Sequence, residues 1–135
     1  MVDAAWSGGT WVCWGSDNRE APVRLCGTRT ATHGRHFEVK ALDGTANPYL
    51  AIAALLHAGT LGVRKGLELR LGDLQGMAQL IGEAERAKLG ITQRLPRDLG
   101  QAVEKLRGDE ELVSGLGEDL VAKYISTIEA SRASL

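Results

Sequence analysis

His36-Phe37-Glu38-Val39-Lys40-Ala41-Leu42-Asp43-Gly44-Thr45-Ala46-Asn47-Pro48-Tyr49-Leu50-Ala51 is the stretch in which this chain changes character. Its first half alternates apolar and polar side chains. A period of two predicts a strand over residues 35–41, bounded by Gly34 and by the Asp43-Gly44 turn. Phe37, Val39 and Ala41 share one face, which reads as core, while His36, Glu38 and Lys40 share the other. Asn47 followed by Pro48 is a helix start, because Asn caps free amides and Pro has no N–H to lose at the first helical position. From Pro48 to about Arg64 the residues are apolar nearly all round, which predicts a buried helix. Arg64 and Lys65 suit its C-terminal end, and Gly66 suits the stop.

Upstream of this stretch the chain is rich in Gly, Thr, Trp and Arg. Thr10-Trp11-Val12-Cys13-Trp14, flanked by Gly8-Gly9 and Gly15, predicts one strand. Residues 21–26 predict another, with Pro22 at its start or on an edge. Downstream the chain is rich in Leu, Ala, Glu and Lys. Residues 67–95 carry weak periodicity broken by glycines and read as loops with one short helix. Asp98 followed by Gln101 resembles a capping box ahead of the stripe Leu99, Ala102, Val103 and Leu106. Asp109-Glu110-Glu111 places acids at the positive end of a further helix. Leu120, Val121, Tyr124, Ile125 and Ile128 mark one face of the last. The fold class is α+β: short antiparallel strands in residues 1–46, then a mostly helical 47–135, expected to form one compact unit.

Composition removes several function classes. The 135 residues carry 16 Lys and Arg against 17 Asp and Glu, so no global basic field points to nucleic acid. Its longest apolar stretch, Tyr49 to Val63, is interrupted by His57, glycines and a threonine, so no transmembrane helix is expected. Met1-Val2-Asp3-Ala4-Ala5-Trp6 is no secretory signal, which fits a cytoplasmic protein. Cys13 and Cys26 read as reduced, small apolar residues.

Charge is nevertheless uneven. Residues 19–40 hold Arg19, Arg24, Arg29, Arg35 and Lys40 against Glu20 and Glu38. Arginines on or beside strands can hold phosphate by bidentate contacts. Glu38, between His36 and Lys40, could ligate a hard cation, since Mg²⁺ takes one or two carboxylates and completes its shell with phosphates and water. The same pattern also describes the polar outer face of a sheet with Arg and Glu paired across strands. No GxxxxGK[ST] or GxGxxG loop is present.

Trp14-Gly15-Ser16-Asp17-Asn18-Arg19-Glu20-Ala21-Pro22-Val23-Arg24 resembles the Asn-Arg-x-x-x-x-Arg element of glutamine synthetases. Phe37-Glu38-Val39-Lys40 with Asp43 and Ala46-Asn47-Pro48-Tyr49-Leu50 is similar to their Glu-x-Arg…Asp…Ala-Asn-Pro-Tyr-Leu element. Leu95-Pro96…Leu99…Ala102…Leu106 and Leu116-Gly117…Tyr124…Glu129 agree with their tail. Trp6-Ser7-Gly8-Gly9-Thr10 most resembles the fungal FluG-like branch, in which a synthetase-like domain can follow an amidohydrolase-like one.

The resemblance implies an ATP-dependent ligase with Mg²⁺ or Mn²⁺, in which glutamate becomes γ-glutamyl phosphate and ammonia or an amine displaces the phosphate. By position, Arg19 and Arg24 match arginines on the ATP phosphates and the transferring phosphoryl group. Glu38 matches a metal ligand, Lys40 stands where an arginine contacts glutamate and the phosphoryl group, and His36 replaces another basic residue near the nucleotide. Ser7 stands in the place of a flap glutamate that helps form the ammonium pocket, which leaves room for a larger amine. The resemblance spans only the final third of a synthetase, without the N-terminal β-grasp domain or the strands that carry the remaining metal ligands. The isolated chain is therefore expected to be inactive and to need the missing segment or a homo-oligomer. The alternative is a non-catalytic remnant that binds protein or nucleotide. The tryptophans are expected to pack, His57 to be a core or interface residue, His33 to be solvated, and Arg94 and Arg97 to lie on the surface.

Overall fold

A computed structural model describes residues 9–27 and 34–133. Trp6, Ser7, Arg29 and His33 lie outside the described residues. The elements are β1 (Trp14–Ser16), β2 (Val23–Cys26), β3 (His36–Val39), α1 (Pro48–Arg64), α2 (Glu83–Lys88), α3 (Leu99–Arg107), α4 (Glu110–Leu116) and α5 (Glu118–Ala133). This is the α+β order expected. The single compact unit is not: the described residues divide into one unit of residues 9–27, 34–44 and 68–97 and another of residues 45–67 and 98–133.

In the first unit the sheet order is β1-β2-β3. β2 and β3 pair antiparallel, with Arg24 opposite Glu38 and Leu25 opposite Phe37. β1 and β2 are parallel, contrary to the all-antiparallel expectation. Parallel neighbours usually need a crossover of about a dozen residues; here residues 17–22 suffice because the chain doubles back on a rigid turn. Asp17 takes a left-handed φ of 51°, and its Oδ1 accepts from the Gly27 amide at 3.2 Å. Asn18 is buried; its Oδ1 accepts from the Glu20 amide at 2.9 Å and its Nδ2 donates to the Leu74 carbonyl at 2.8 Å.

The strand expected over residues 10–14 begins later, at Trp14. Residues 10–12 pair instead with residues 93–95: Trp11 bridges Arg94, Val12 N–H donates to Gln93 and Leu95 N–H to Thr10. The unit's core is Cys13, Leu74, Ala78 and Ile91, so the glycine-broken excursion supplies most of it. As expected, that excursion holds one short helix, α2. Trp14 Nε1 donates to the Leu71 carbonyl at 2.9 Å, and Trp11 lies beneath the guanidiniums of Arg86 and Arg94, 4.5 and 4.2 Å from its ring centre. Both described tryptophans beyond residue 8 at this end thus pack, and exposed Arg94 is a stacking partner as well as a surface residue.

Phe37 corrects the expected core face. It is 67% exposed, and Ala41 is exposed too, although Val39 is half-buried. The apolar pairs Val23–Val39 and Leu25–Phe37 form, but no element among the described residues covers Phe37.

In the second unit, α1 runs over the expected residues. Asn47 Oδ1 accepts from the amides of Tyr49 and Leu50, and Pro48 occupies the first turn. The expected burial fails: α1 has no buried residue, and Tyr49 and Val63 are more than 80% exposed. Its half-buried residues include Leu50, Ala54, His57 and Leu61, a stripe at helical spacing. α1 meets α4, where the His57 ring lies against Gly115, and Lys65 pairs with Glu111. Val103, Val121 and Ile125 form the buried cluster, joined by Leu106, Val113, Leu116 and Ile128. The α5 face is narrower than expected, since Leu120 and Tyr124 are exposed. Asp98 and Asp109 cap α3 and α4 by accepting from the Gln101 and Leu112 amides.

Two outcomes test this packing. A Cβ at Gly15 would stand 2.4 Å from the Leu74 carbonyl oxygen and 2.7 Å from Asn18 Cβ. The first is backbone and cannot rotate away, so Gly15→Ala is expected to cost about 1–3 kcal/mol, read as a lower urea midpoint. Burial pushes the Cys13 thiol from 9.0 up to about 11. The thiolate is the nucleophile, so alkylation of Cys13 at pH 8 is expected to be slow in the folded chain and fast in urea. Because the folded state holds that proton more tightly, its contribution to stability is complete below pH 9 and is lost as the pH rises to about 11.

Candidate functional site

Of the five expected residues, β2 and β3 bring the side chains of Arg24, Glu38 and Lys40 together, with the Arg19 backbone beside them. Arg24 projects from β2 directly opposite Glu38 on β3, and its Nη1 lies 3.3 Å from Glu38 Oε2. Lys40 follows β3; its amide donates to the Pro22 carbonyl at 2.9 Å, which ties the end of β3 to the start of β2. Lys40 Nζ donates to the Arg19 carbonyl and lies 4.0 Å from the same Glu38 oxygen. Arg19 sits in the turn with an exposed side chain. His36 opens β3 on the face shared by Glu38 and Lys40, paired in register with Cys26 and exposed.

The alternation seen in the sequence explains this grouping. Residues two apart on a strand share a face, so β3 carries its basic and acidic groups on one side, and antiparallel register brings Arg24 to the same spot. The result is a cluster of two cations, Arg24 and Lys40, and one carboxylate, Glu38. Both bonds to Glu38 converge on Oε2, and Glu38 is about half exposed, so this ion pair contributes little to folding.

One atom departs from a simple surface pairing. Arg24 Nε is buried and has no acceptor. A buried donor left unmade is costly, while the same guanidinium keeps its Nη1 on the Glu38 carboxylate. Lys40 is mostly buried and already engaged by a carbonyl, so it acts here as a brace on the Arg19 turn. Among the described residues no group of three or more His, Cys, Asp and Glu could hold a metal by itself. A single carboxylate beside cations suits Mg²⁺ only where phosphates and water supply its remaining ligands. The donor set therefore fits a metal–polyphosphate pair better than a metal alone.

Sequence reasoning located these side chains but missed what carries them. Asn18 and the Leu71–Gly76 segment support the turn that bears Arg19, and Asp73 Oδ1 accepts from the Ser16 amide at 2.7 Å. Asn18 next to Arg19 was a visible signal. Asp73, 57 residues beyond Ser16, had none. Among the described residues no helix is long and apolar enough to cross a membrane.

The family model "Glutamine synthetase, catalytic domain" matches residues 1–134. The chain is 45% identical over 130 residues to Protein fluG of Emericella nidulans, covering 96% of this chain and 14% of that protein. It is 38% identical over 117 residues to the glutamine synthetase of Mycolicibacterium smegmatis, covering 86% of this chain and 26% of that one. Among solved structures, "Apo GmaS without ligand" superposes with a TM-score of 0.62 at 30% identity, covering 96% of this chain and 28% of that chain. The chain thus spans between one seventh and somewhat over a quarter of these relatives. The parallel β1–β2 pair, the capped α1 and the arginine–glutamate face belong to a chain of the glutamine synthetase family, within its catalytic domain.

Proposed function

We propose that this chain supplies the nucleotide-phosphate side of an ATP-dependent ligase site that joins ammonia or an amine to the γ-carboxylate of glutamate. The observation that carries the reading is the grouping of Arg24 and Lys40 around Glu38 on one sheet face, with Arg24 Nη1 3.3 Å and Lys40 Nζ 4.0 Å from Glu38 Oε2. Arg19 and Arg24 would bind the ATP phosphates, and Glu38 would ligate Mg²⁺ or Mn²⁺. Lys40 and His36 would add positive charge on the same face. Phosphoryl transfer to glutamate spreads negative charge over the transferring group, and fixed cations stabilise that charge more than any covalent step by the protein would. The metal, when bound, would neutralise charge on the phosphates.

The remaining ligands for metal, glutamate and amine would come from polypeptide beyond these 135 residues, in a cytoplasmic enzyme. A catalytic constellation needs both halves held to within a fraction of an ångström. Exposed Phe37 and the uncovered α1 support the same view, because apolar surface of this kind favours association.

Calorimetric titration with ATP, with and without Mg²⁺, tests the reading. Magnesium-dependent binding is expected, weakened about tenfold or more by Arg24→Ala, as for loss of a charge-assisted bond. Glu38→Gln is expected to abolish the magnesium dependence while changing unfolding free energy by less than about 1 kcal/mol. Binding that neither substitution alters would overturn the site. The chain by itself is expected to form no γ-glutamyl hydroxamate from ATP, glutamate and hydroxylamine; measurable turnover would show that it needs no second half. Light scattering at tens of micromolar is expected to report association, and a clean monomer would count against an uncovered interface.

A further inference from the structure

We infer that Asp73, acting with Asn18, is a positioning residue for Arg19, and that the Leu71–Gly76 segment is a strap that fixes the phosphate-binding turn. The inference rests on the proposed role of Arg19 at ATP phosphates. Three-residue β1 has β2 on one side only. On its other side, Trp14 bridges Asp73 in parallel, and Leu74 N–H donates to the Trp14 carbonyl at 3.1 Å. Trp14 Nε1 donates to the Leu71 carbonyl, and Ser16 N–H donates to Asp73 Oδ1 at 2.7 Å. Asn18 Nδ2 reaches both the Leu74 and Gly76 carbonyls, at 2.8 and 2.9 Å. The segment therefore serves as a fourth strand built largely from side-chain bonds.

These bonds surround a single residue. Before Arg19, Ser16 is held by Asp73, Asp17 is held in a left-handed conformation that non-glycine residues rarely take, and Asn18 is buried with its amide engaged. At Arg19 itself, the carbonyl accepts from Lys40 Nζ. Only the Arg19 side chain faces out. An arginine at full freedom would lose that freedom on binding an anion, and a fixed backbone reduces the loss.

Asp73 Oδ1 also accepts from Gln75 Nε2 at 2.9 Å, which aims the carboxylate at the Ser16 amide. Neither bond requires a negative charge, because an amide oxygen also accepts, though more weakly than a carboxylate. This separates a positioning role from a charge role such as metal ligation. Asp73→Asn keeps the acceptor and loses the charge, whereas Asp73→Ala loses both.

The test has two arms on the full chain. In the first, amide hydrogen exchange is measured at Ser16–Arg19 and at α2 as a control within the same unit. Asp73→Ala is expected to speed exchange at Ser16–Arg19 about tenfold or more, leave α2 unchanged, and be largely rescued by Asp73→Asn. Unchanged exchange at the turn overturns the inference. Equal acceleration in α2 also overturns it, since Asp73 would then be a general stability residue, and so does an Asp73→Asn variant as loose as Asp73→Ala. In the second arm, Mg²⁺–ATP is titrated into Arg19→Ala, Asp73→Ala and the double variant. Asp73→Ala is expected to weaken binding several-fold, and the double variant to bind like Arg19→Ala alone. Additive losses would overturn action through Arg19. If the unaltered chain binds no ATP, the phosphate-site reading fails, while the exchange arm still decides whether Asp73 holds the turn.

Discussion

The buried carboxamide of Asn18 is the contact on which the first unit turns. It joins two pieces of chain with three bonds: its own loop through the Glu20 amide, and the strap through the Leu74 and Gly76 carbonyls. Hydrogen-bonding groups withdrawn from water must find partners inside, and Asn alone among small side chains presents a donor and an acceptor in one plane. With that contact made, β1 can lie parallel to β2 after a connection of only residues 17–22. Gly15 follows from the same closeness, since any Cβ there meets the Leu74 carbonyl. Leu74 itself is almost completely buried in the core beside Cys13 and Ile91, so the polar anchor and the apolar core share a residue.

From this anchor the charged face is assembled by register. β2 holds Arg24 where β3 presents Glu38, and Lys40 closes the triangle by reaching back to the Arg19 carbonyl. The cluster is weakly stabilising by itself because it is half exposed. Its interest lies in arrangement: Arg24 and Lys40 both approach Glu38 Oε2, and among the described residues Arg24 Nε is buried without an acceptor. Membership in the glutamine synthetase family gives that arrangement a chemical context.

The second unit shows the complementary case. α1 is among the most apolar segments of the chain, yet none of its residues is buried. It packs on α4 through one stripe centred on His57 and leaves Tyr49, Leu56 and Val63 uncovered. Phe37 on β3 is uncovered in the same way. A helix that is hydrophobic all round suits an enclosed position, so among the described residues the sequence of α1 and its surroundings do not match.

Local signals determined much of this protein. Asn47-Pro48 set the start of α1, Asp98 and Asp109 capped α3 and α4, and the alternation through His36–Lys40 placed Glu38 and Lys40 on one face. These succeed because caps and strand alternation depend on residues within a few positions of one another. Tertiary structure decided the rest. The parallel β1–β2 pair depends on Asn18 reaching residues 74 and 76, the pairing of residues 10–12 depends on residues 93–95, and the Ser16–Asp73 bond spans 57 positions. No periodicity or capping rule records such contacts, because they are chosen by which distant backbone groups remain unpaired once the local elements have formed. Burial likewise escaped the sequence at α1 and Phe37, since hydrophobicity states what a segment would gain from being covered and only the fold supplies the cover.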